Sequence, residues 1–238
     1  MSERIGIGVI CYYSAAEVVA SVASVREHCR ADYTLMLFDN SEDDEVGEWA
    51  RHHAADALYV RSPYNVGCAR SRNRLAAIAA GISGMSHLII QDQDVVWTAD
   101  AVPPMRAVFE RHKDTGIVGW NLANTTMGTP YPPDKTGAIP ELPGMMNMYS
   151  VACIKAAGAW HSGMLMYLFD SLICLKASKL AGYKTRVVMG SPCAVEHRHP
   201  HRGVKRYPWR RDEQARSRAI FRAEVAEHGL STPAGLGK

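Results

Sequence analysis

Short apolar runs alternate with amphipathic stretches over most of the chain. Runs bounded by turn-forming residues predict strands, and apolar residues that recur every three or four positions predict helices. The predicted strands cover residues 5–12, 33–38, 57–61, 87–90, 116–120, 148–153 and 185–189. The predicted helices cover residues 14–29, 44–53, 67–80, 99–112, 168–181 and 209–228. This alternation is typical of an α/β fold with a mostly parallel central sheet and helices on both faces.

Two local signals mark a helix start and a boundary. Ser14 and Glu17 have the spacing of a capping box, which predicts that the first helix begins there. Residues 122–146 are rich in Pro and Gly and show little periodicity, which indicates a functional or mobile loop. We therefore divide the chain into three predicted parts, 1–121, 122–200 and 201–238.

The composition supports a globular protein. Of its 238 residues, 47% are hydrophobic and 21% charged, and the net charge of +3 is too small to indicate a nucleic-acid-binding protein by itself. Six cysteines are scattered without a CxxC pair, so we expect reduced thiols. An acidic residue precedes the first apolar run, and the longest weakly charged stretch, 156–169, is shorter than the roughly 20 residues of a membrane span. We therefore expect a soluble cytoplasmic protein without a transmembrane segment.

Two carboxylates directly follow the fully apolar fourth strand. Asp92 and Asp94 are separated by one residue. Ligands of open α/β sheets bind outside the carboxyl ends of strands, and paired carboxylates there suit a hard divalent cation that bridges phosphate oxygens. The alternative is that these residues cap the next helix or face solvent.

Other polar and aromatic residues follow neighbouring strands at the same predicted edge. Tyr12 can stack on a base, Asp39 can accept a hydrogen bond from a base N–H, and Arg70 or Arg72 can offset diphosphate charge. Four further residues of these segments complete the candidate nucleotide site: Asn40, Asn65, Gly67 and Asn73. Taken singly, each also fits a core tyrosine, an Asp-Asn turn or a solvated arginine.

The order and spacing of these motifs resemble the family 2 glycosyltransferases of the GT-A fold. That family has Tyr-Asn, Asp-Asn-x-Ser-x-Asp, Asn-x-Gly-x-Ala-x-x-x-Asn and Asp-x-Asp in sequence. The second half is also similar, at 147–158, 169–176, 181–184 and 195–197, so the resemblance covers roughly residues 5–200. It implies a single GT-A domain whose first part, 1–121, binds a nucleotide-sugar and whose second part, 122–200, binds the acceptor.

The resemblance also implies roles for individual residues. Tyr12 and Asp39 would lie near the base, and Asp92 and Asp94 near the ribose, the diphosphate and Mn²⁺ or Mg²⁺, with Asp94 as the direct metal ligand. Asp170 would be the general base of an inverting transfer from a nucleotide-sugar, a UDP-sugar first among them, to an acceptor hydroxyl. Asp170 stands in an apolar run, where a carboxylate is costly without a function or a partner, although it could equally cap the helix that follows.

This chain departs from the family pattern at three positions. Tyr13 replaces an Asn, Phe169 replaces the acidic residue before the proposed base, and Leu172 replaces the second Asp of that motif. His197 begins a run of three histidines, which fits either a third metal ligand or phosphate contact, or a surface turn.

Sugar or acceptor contacts are expected from flat side chains near the boundary. Trp120, Asn121 and Trp160 are the candidates, and Trp160 could equally belong to the core. The loop 122–146 could close over a bound donor and exclude water.

The last part of the chain is locally basic. Residues 198–222 contain nine basic and two acidic side chains with interleaved aromatics, which fits an anionic acceptor such as a lipid-linked diphosphate, a membrane surface or nucleic acid. A solvated helix face is the plainer interpretation. A nucleic-acid-binding module, alone or combined with glycosyl transfer to modified bases, remains an alternative function. A sugar-phosphate nucleotidyltransferase is another, although it predicts a Gly-rich phosphate loop after the first strand that this chain lacks.

Overall fold

A computed structural model of the protein describes residues 4–120, 132–198 and 210–232. The strands in these ranges are β1 Ile5–Cys11, β2 Tyr33–Asp39, β3 Leu58–Arg61, β4 His87–Asp92, β5 Val95–Trp97, β6 Thr115–Gly119, β7 Ala138–Ile139, β8 Met146–Ser150, β9 Lys184–Val187 and β10 Val195–His197. The helices are α1 Ala15–His28, α2 Glu45–His53, α3 Gly67–Gly81, α4 Val102–Arg111, α5 Val151–Ala156, α6 Phe169–Lys179 and α7 Arg210–Glu227.

Eight strands form one sheet in the order β3-β2-β1-β4-β8-β6-β9-β7. Four of its seven strand pairs are parallel, and the antiparallel pairs involve β8 and β7. The predicted α/β class with a mostly parallel central sheet is therefore confirmed. Strand β8 comes from the predicted second part of the chain and inserts between β4 and β6 of the first, so both parts share one sheet.

Apolar side chains form a core on each face of the sheet. Helices α1, α2 and α4 supply residues such as Val22, Val46 and Met105 to one core. Helices α3, α5, α6 and α7 supply residues such as Leu75 and Phe221 to the other. The apolar runs of β1 and β4 are buried on both faces because helices cover both sides of the sheet.

One local prediction is only partly right and another is wrong. Helix α1 begins after Ser14 as predicted, but without the predicted capping box. Ser14 adopts a left-handed conformation (φ 54°) and makes no side-chain cap, and the carboxylate of Glu17 accepts a hydrogen bond from Gln93 instead of closing a capping box. The predicted strand at 148–153 ends at Ser150, because the Ser150 hydroxyl accepts from the Cys153 amide (3.4 Å) and starts helix α5 there.

Three short strands were not predicted from periodicity. Strands β5 and β10 pair antiparallel in a separate two-stranded sheet, and β7 pairs with β9. These strands have two or three residues each, too few to show a period.

Two further predictions concern the cysteines and a membrane span. All six cysteines are free thiols, as expected. Within the described ranges, no helix combines the length and the apolar character that crossing a bilayer demands.

Candidate active site

The carboxyl ends of β2, β1 and β4 meet at one edge of the sheet. Cys11 at the end of β1 lies opposite Asp39 of β2, and Ile10 lies opposite Asp92 of β4. Parallel pairing therefore brings Tyr12, Asp39 and Asp92 to the same edge, where the sequence predicted a binding site.

Asp39 is buried at this edge, and both of its carboxylate oxygens accept hydrogen bonds. Its residue has no solvent exposure, its Oδ1 accepts from the Ser41 amide (2.8 Å), and its Oδ2 accepts from the Tyr59 hydroxyl (2.7 Å). The burial of the phenol and its bond to Asp39 raise the pKa of Tyr59. The Asp39 carboxylate thus organises the turn after β2, and its predicted contact with a base stays a prediction.

The start of α3 is fixed by asparagine side chains. Asn40 donates to the Ser71 hydroxyl (2.7 Å) and accepts from the Val66 amide (3.2 Å), while Asn65 accepts from the Gly67 amide (2.9 Å). Gly67 has a positive φ of 82°, and a Cβ there would lie 2.6 Å from the Cα of Leu165. Only glycine fits this approach of two backbone segments.

Asn73 joins α3 to the chain before α6. Its amide group donates to the Trp160 carbonyl (2.8 Å) and accepts from the Trp160 amide (3.0 Å). Trp160 is buried and its ring packs edge-on against Tyr149, with centroids 5.1 Å apart. Trp160 therefore lies in the core in this structure, and Trp120 is buried as well. Asn121 lies outside the described residues.

The two candidate phosphate-binding arginines differ in position. Arg70 is exposed and its Nε donates to the Ser162 carbonyl (2.9 Å). Arg72 is fully buried and donates through Nη2 to Asp92 (3.1 Å) and to the Gly144 carbonyl (2.6 Å). In this structure Arg72 thus contacts protein groups and is not open to solvent.

Gln93, between the two carboxylates, points back to the first strand. Its amide exchanges hydrogen bonds with the backbone of Tyr12 (2.6 and 3.1 Å) and donates to Glu17 (2.7 Å). This contact fixes the turn that carries Asp92 and Asp94, and it joins that turn to the end of β1 and the start of α1.

Asp94 is paired with His197. The Asp94 Oδ1 lies 3.2 Å from the His197 Nε2, and the Asp94 carbonyl accepts from the Arg198 amide (2.8 Å). Burial opposes protonation of the imidazole, but the hydrogen bond and charge of Asp94 outweigh it and raise the pKa of His197. The pairing of β10 with β5 brings His197 here from about a hundred residues away in sequence.

The donor set of two carboxylates and an imidazole suits a divalent cation. Burial raises the pKa of Asp92, whose side chain is 38% exposed, and Arg72 opposes that rise. Across the described ranges, no three His, Cys, Asp or Glu side chains converge as a metal-binding group. The structure therefore brings Asp94 and His197 together and leaves Asp92 turned to Arg72.

Asp170 lies in the first turn of α6 and is mostly buried. Its side chain is 18% exposed, and its Oδ1 makes no hydrogen bond to any described residue. The N-cap of α6 is Leu168, so the capping alternative for Asp170 is wrong. Burial raises the pKa of Asp170 to about 7, and Asp92 and Glu141 add to the rise. Arg72 and a hydrogen bond with the Gly144 backbone oppose it.

The sequence matches a model of a known protein family. The model of Glycosyl transferase family 2 matches residues 7–173. The chain belongs to glycosyltransferase family 2. The predicted resemblance is therefore confirmed, and no curated protein matches the chain.

Solved structures show the GT-A fold of this family 2 chain. It is similar to the mannosyltransferase PcManGT from Pyrobaculum calidifontis in complex with GDP-Man and Mn²⁺ (TM-score 0.64, 18% identity, covering 92% of this chain and 64% of that one). It is also similar to GalNAc-T7 with UDP, GalNAc and Mn²⁺ (TM-score 0.67, 13% identity, 97% and 55%). The third is S. aureus TarS (TM-score 0.63, 14% identity, 94% and 42%). The chain thus spans about two fifths to two thirds of these proteins.

Helix α7 of this family 2 chain holds the loop between α5 and α6. Buried Glu213 accepts from the Leu165 amide (2.7 Å), and Arg216 donates to the Gly163 carbonyl (2.6 Å). The Leu165 carbonyl in turn accepts from the Cys68 amide (2.5 Å) at the start of α3. Residues 199–209 of the basic region lie outside the described residues, so its predicted anionic partner stays a prediction.

Sequence reasoning missed four residues that shape the site. They are Gln93, Glu141, Gly144 and Glu213. The carboxylate of Glu141 lies near Asp170 and bonds Ser171, and a Cβ on Gly144 would overlap both oxygens of Asp170. The Pro-Gly pair at 143–144 was visible in the sequence, but it was interpreted only as part of a loop.

Proposed function

We propose that this protein transfers a sugar from a nucleotide-sugar, a UDP-sugar, to an acceptor hydroxyl with inversion, and that Asp170 is the general base. The observation that supports this most is the mostly buried carboxylate of Asp170, whose Oδ1 is hydrogen-bonded to none of the described residues. It lies across one buried arginine from the carboxylate that ends β4. Membership in the glycosyltransferase family supports it over a nucleotidyltransferase.

The environment of Asp170 suits a proton acceptor. A general base works best when its pKa lies near the working pH, and burial raises that of Asp170 to about 7. In the proposed reaction its carboxylate takes the proton of the acceptor hydroxyl as that oxygen attacks the anomeric carbon. The rate should therefore rise with pH through about 7, because only the ionised carboxylate accepts a proton.

We further propose that Asp92, Asp94 and His197 hold Mn²⁺ or Mg²⁺. A bound cation would neutralise the charge that develops on the departing nucleoside diphosphate. The Asp94–His197 pair supports this proposal, as do the two similar glycosyltransferases whose structures contain Mn²⁺. Asp94 is the proposed direct ligand.

The donor is proposed to lie along the edge formed by β2, β1 and β4. Tyr12 would stack on the base beside the turn that Asp39 and Asn40 organise. Similar proteins were solved with GDP-Man or UDP, which supports a nucleoside diphosphate here. The acceptor is proposed to be anionic because of the basic residues after 198, and a cytoplasmic location is proposed with it.

A binding screen tests this function. The protein is heated with UDP-, GDP-, CDP- and dTDP-sugars, each with and without Mn²⁺ or Mg²⁺. A ligand at 100 times its dissociation constant should add about 2.7 kcal/mol to the free energy of unfolding and raise Tm by several degrees. We expect such a shift for one nucleotide, with metal only.

Three variants assign the roles. Asp94→Ala should abolish the metal-dependent shift, whereas Asp170→Asn should keep it and lower donor turnover by about 100-fold or more. Asp32→Asn, an exposed carboxylate far from this edge, is the control. The absence of any shift for the unmodified protein, or an undiminished shift for Asp94→Ala, would contradict the proposal.

A further inference from the structure

Arg72 connects the two sides of the candidate site from inside the protein. It lies on α3 with no solvent exposure. Its Nη2 donates to Asp92 Oδ1 (3.1 Å) at the end of β4 and to the Gly144 carbonyl (2.6 Å) before β8. Its Nε lies 3.9 Å from Asp170 Oδ1 on α6. One side chain therefore faces groups from three other segments of the chain.

The guanidinium is fixed by packing as well as by these bonds. Its Cζ lies 4.6 Å from the centre of the Phe169 ring, the residue directly before Asp170. A planar cation on an aromatic face holds its orientation better than a flexible amine does. Phe169 stands where the family pattern has an acidic residue, so the chain presents a ring to Arg72 at that position.

Arg72 also has unused hydrogen-bonding capacity on the side of Asp170. Within the described part of the chain, its buried Nε and Nη1 make no hydrogen bond, and neither does Asp170 Oδ1. The Nε–Oδ1 distance of 3.9 Å exceeds a charge-assisted hydrogen bond by about 1 Å. A displacement of that size would complete a bond between the donor side and the acceptor side.

We propose that Arg72 is a positioning residue that fixes the Asp170 carboxylate relative to Asp92 and Gly144, and that it acts from behind the site without contacting the diphosphate. This inference rests on the proposed function, because it assigns Asp170 the role of base. The forked geometry is essential. A lysine would keep the positive charge, but one ammonium group cannot reach Asp92, Gly144 and Asp170 with the planar geometry of a guanidinium.

Kinetics of the conservative variant test the positioning role. Nucleoside diphosphate release is measured with whichever sugar nucleotide gives the metal-dependent thermal shift. Arg72→Lys should lower kcat by about 100-fold and change KM by less than about 3-fold, because the donor is bound but the base is misplaced. Loss through KM alone, or a kcat within about 3-fold of the unmodified protein, would overturn the proposal.

A second buried arginine provides the matched control. Arg186 is 2% exposed and bonds Thr115 (2.8 Å) and Asp114 (2.9 Å), away from the three segments that Arg72 joins. Arg186→Lys should lower Tm, yet keep kcat per folded molecule within about 2-fold. An equal fall of kcat in both variants would show only a general effect of disturbing a buried arginine and would overturn the assignment.

A thermal double-mutant cycle tests the contact without any substrate. Tm is measured in EDTA for Arg72→Met, Asp170→Asn and the double variant. Arg72→Met removes the cation between Asp170 and Asp92, so the two carboxylates face each other. Arg72→Met should therefore lower Tm by at least about 4 °C less in the Asp170→Asn protein than in the unmodified protein. Additive losses would overturn the contact. If no sugar nucleotide is bound or cleaved, the proposed function fails, and this cycle still decides whether Arg72 and Asp170 are coupled.

Discussion

Asp39 and Asp170 are carboxylates of the same candidate site, the first fully buried and the second mostly buried, and their hydrogen bonding differs. Asp39 accepts hydrogen bonds on both oxygens, from the Ser41 amide and the Tyr59 hydroxyl. Asp170 has no hydrogen bond on Oδ1 within the described residues, and burial raises its pKa to about 7. The Asp39 carboxylate shapes the backbone around it, whereas the Oδ1 of Asp170 is left as an acceptor that no described residue uses.

The difference is instructive because leaving a buried polar atom unbonded costs stability. Such groups occur where function requires them, and their removal often stabilises a protein while it abolishes activity. If Asp170 is the base, the lack of a hydrogen bond from any described residue to its Oδ1 is a cost of catalysis. Asp39 shows how the same side chain is held when it has a structural task. Replacing Asp170 by Asn should therefore stabilise the protein, whereas replacing Asp39 by Asn should destabilise it.

The largest effect is expected beside Asp170, at Gly144. A Cβ on this residue would overlap both carboxylate oxygens, so Gly144→Ala must displace the proposed base. Misplacement of a general base by about 1 Å should lower donor turnover by roughly 1,000-fold. Turnover is measured as nucleoside diphosphate release, with the folded fraction checked by circular dichroism.

Gly81→Ala is the matched control for this prediction. A Cβ at Gly81, the last residue of α3, meets no atom within 4 Å. Its turnover should equal that of the unmodified protein. Full activity of Gly144→Ala would mean that the position of Asp170 does not matter to the reaction.

The next effect concerns stability and pH at Asp170 itself. Burial raises the pKa of Asp170 from 3.8 to about 7. Between these two pH values the Asp170 carboxyl is protonated in the folded protein and ionised in the unfolded chain. The unmodified protein therefore loses stability as the pH rises from about 4 to 7, and this loss is complete above 7. Asparagine is neutral throughout, so Asp170→Asn should gain about 2–3 kcal/mol relative to the unmodified protein between pH 5 and pH 8.

Urea unfolding in EDTA at the two pH values measures this gain. Taking the difference between variant and unmodified protein cancels the titration of all other groups that keep their environment. An equal pH dependence of both proteins would mean that Asp170 ionises normally in the folded state.

Asp39→Asn should have the opposite sign and a smaller size. The amide oxygen of Asn can still accept a hydrogen bond from one partner. Its NH₂ group, however, would face a second donor, because the Ser41 amide and the Tyr59 hydroxyl both donate here. We expect a loss of about 1–2 kcal/mol in the free energy of unfolding. Urea unfolding measures it, with the exposed Asp32→Asn as control. A stabilising Asp39→Asn would remove the contrast between the two carboxylates.

Sequence reasoning predicted the first half of the fold well for a physical reason. The strands that end at Asp39 and Asp92 are mostly apolar runs. The Asn65 side chain bonds the Gly67 amide, only two residues further along the chain. Local causes leave local patterns. The family resemblance then placed the donor-side motifs on known elements.

The second half depends on contacts that leave no periodic signal. The partner of Asp94 is His197, about a hundred residues away, and the carbonyl that Arg72 binds belongs to Gly144. The pairing of β10 with β5 and the insertion of β8 between β4 and β6 bring these groups together. Neither the burial of Arg72 nor the contact of Gly144 with Asp170 could be derived without that topology.

The smallest predicted effect tests this dependence on distant contacts. Glu213 on α7 accepts from the Leu165 amide and from the Ser217 hydroxyl, both at 2.7 Å. Gln keeps an acceptor but loses the charge, so Glu213→Gln should cost about 1 kcal/mol and speed hydrogen exchange at the Leu165 amide. Glu227→Gln, exposed on the same helix, should change neither. Leu165 lies three residues before the N-cap of α6, the helix that carries Asp170. Faster exchange at Leu165 together with slower turnover would show that α7 supports the Asp170 side of the site. Unchanged exchange would mean that this side, like the turn at Asp39, is held by contacts close in sequence.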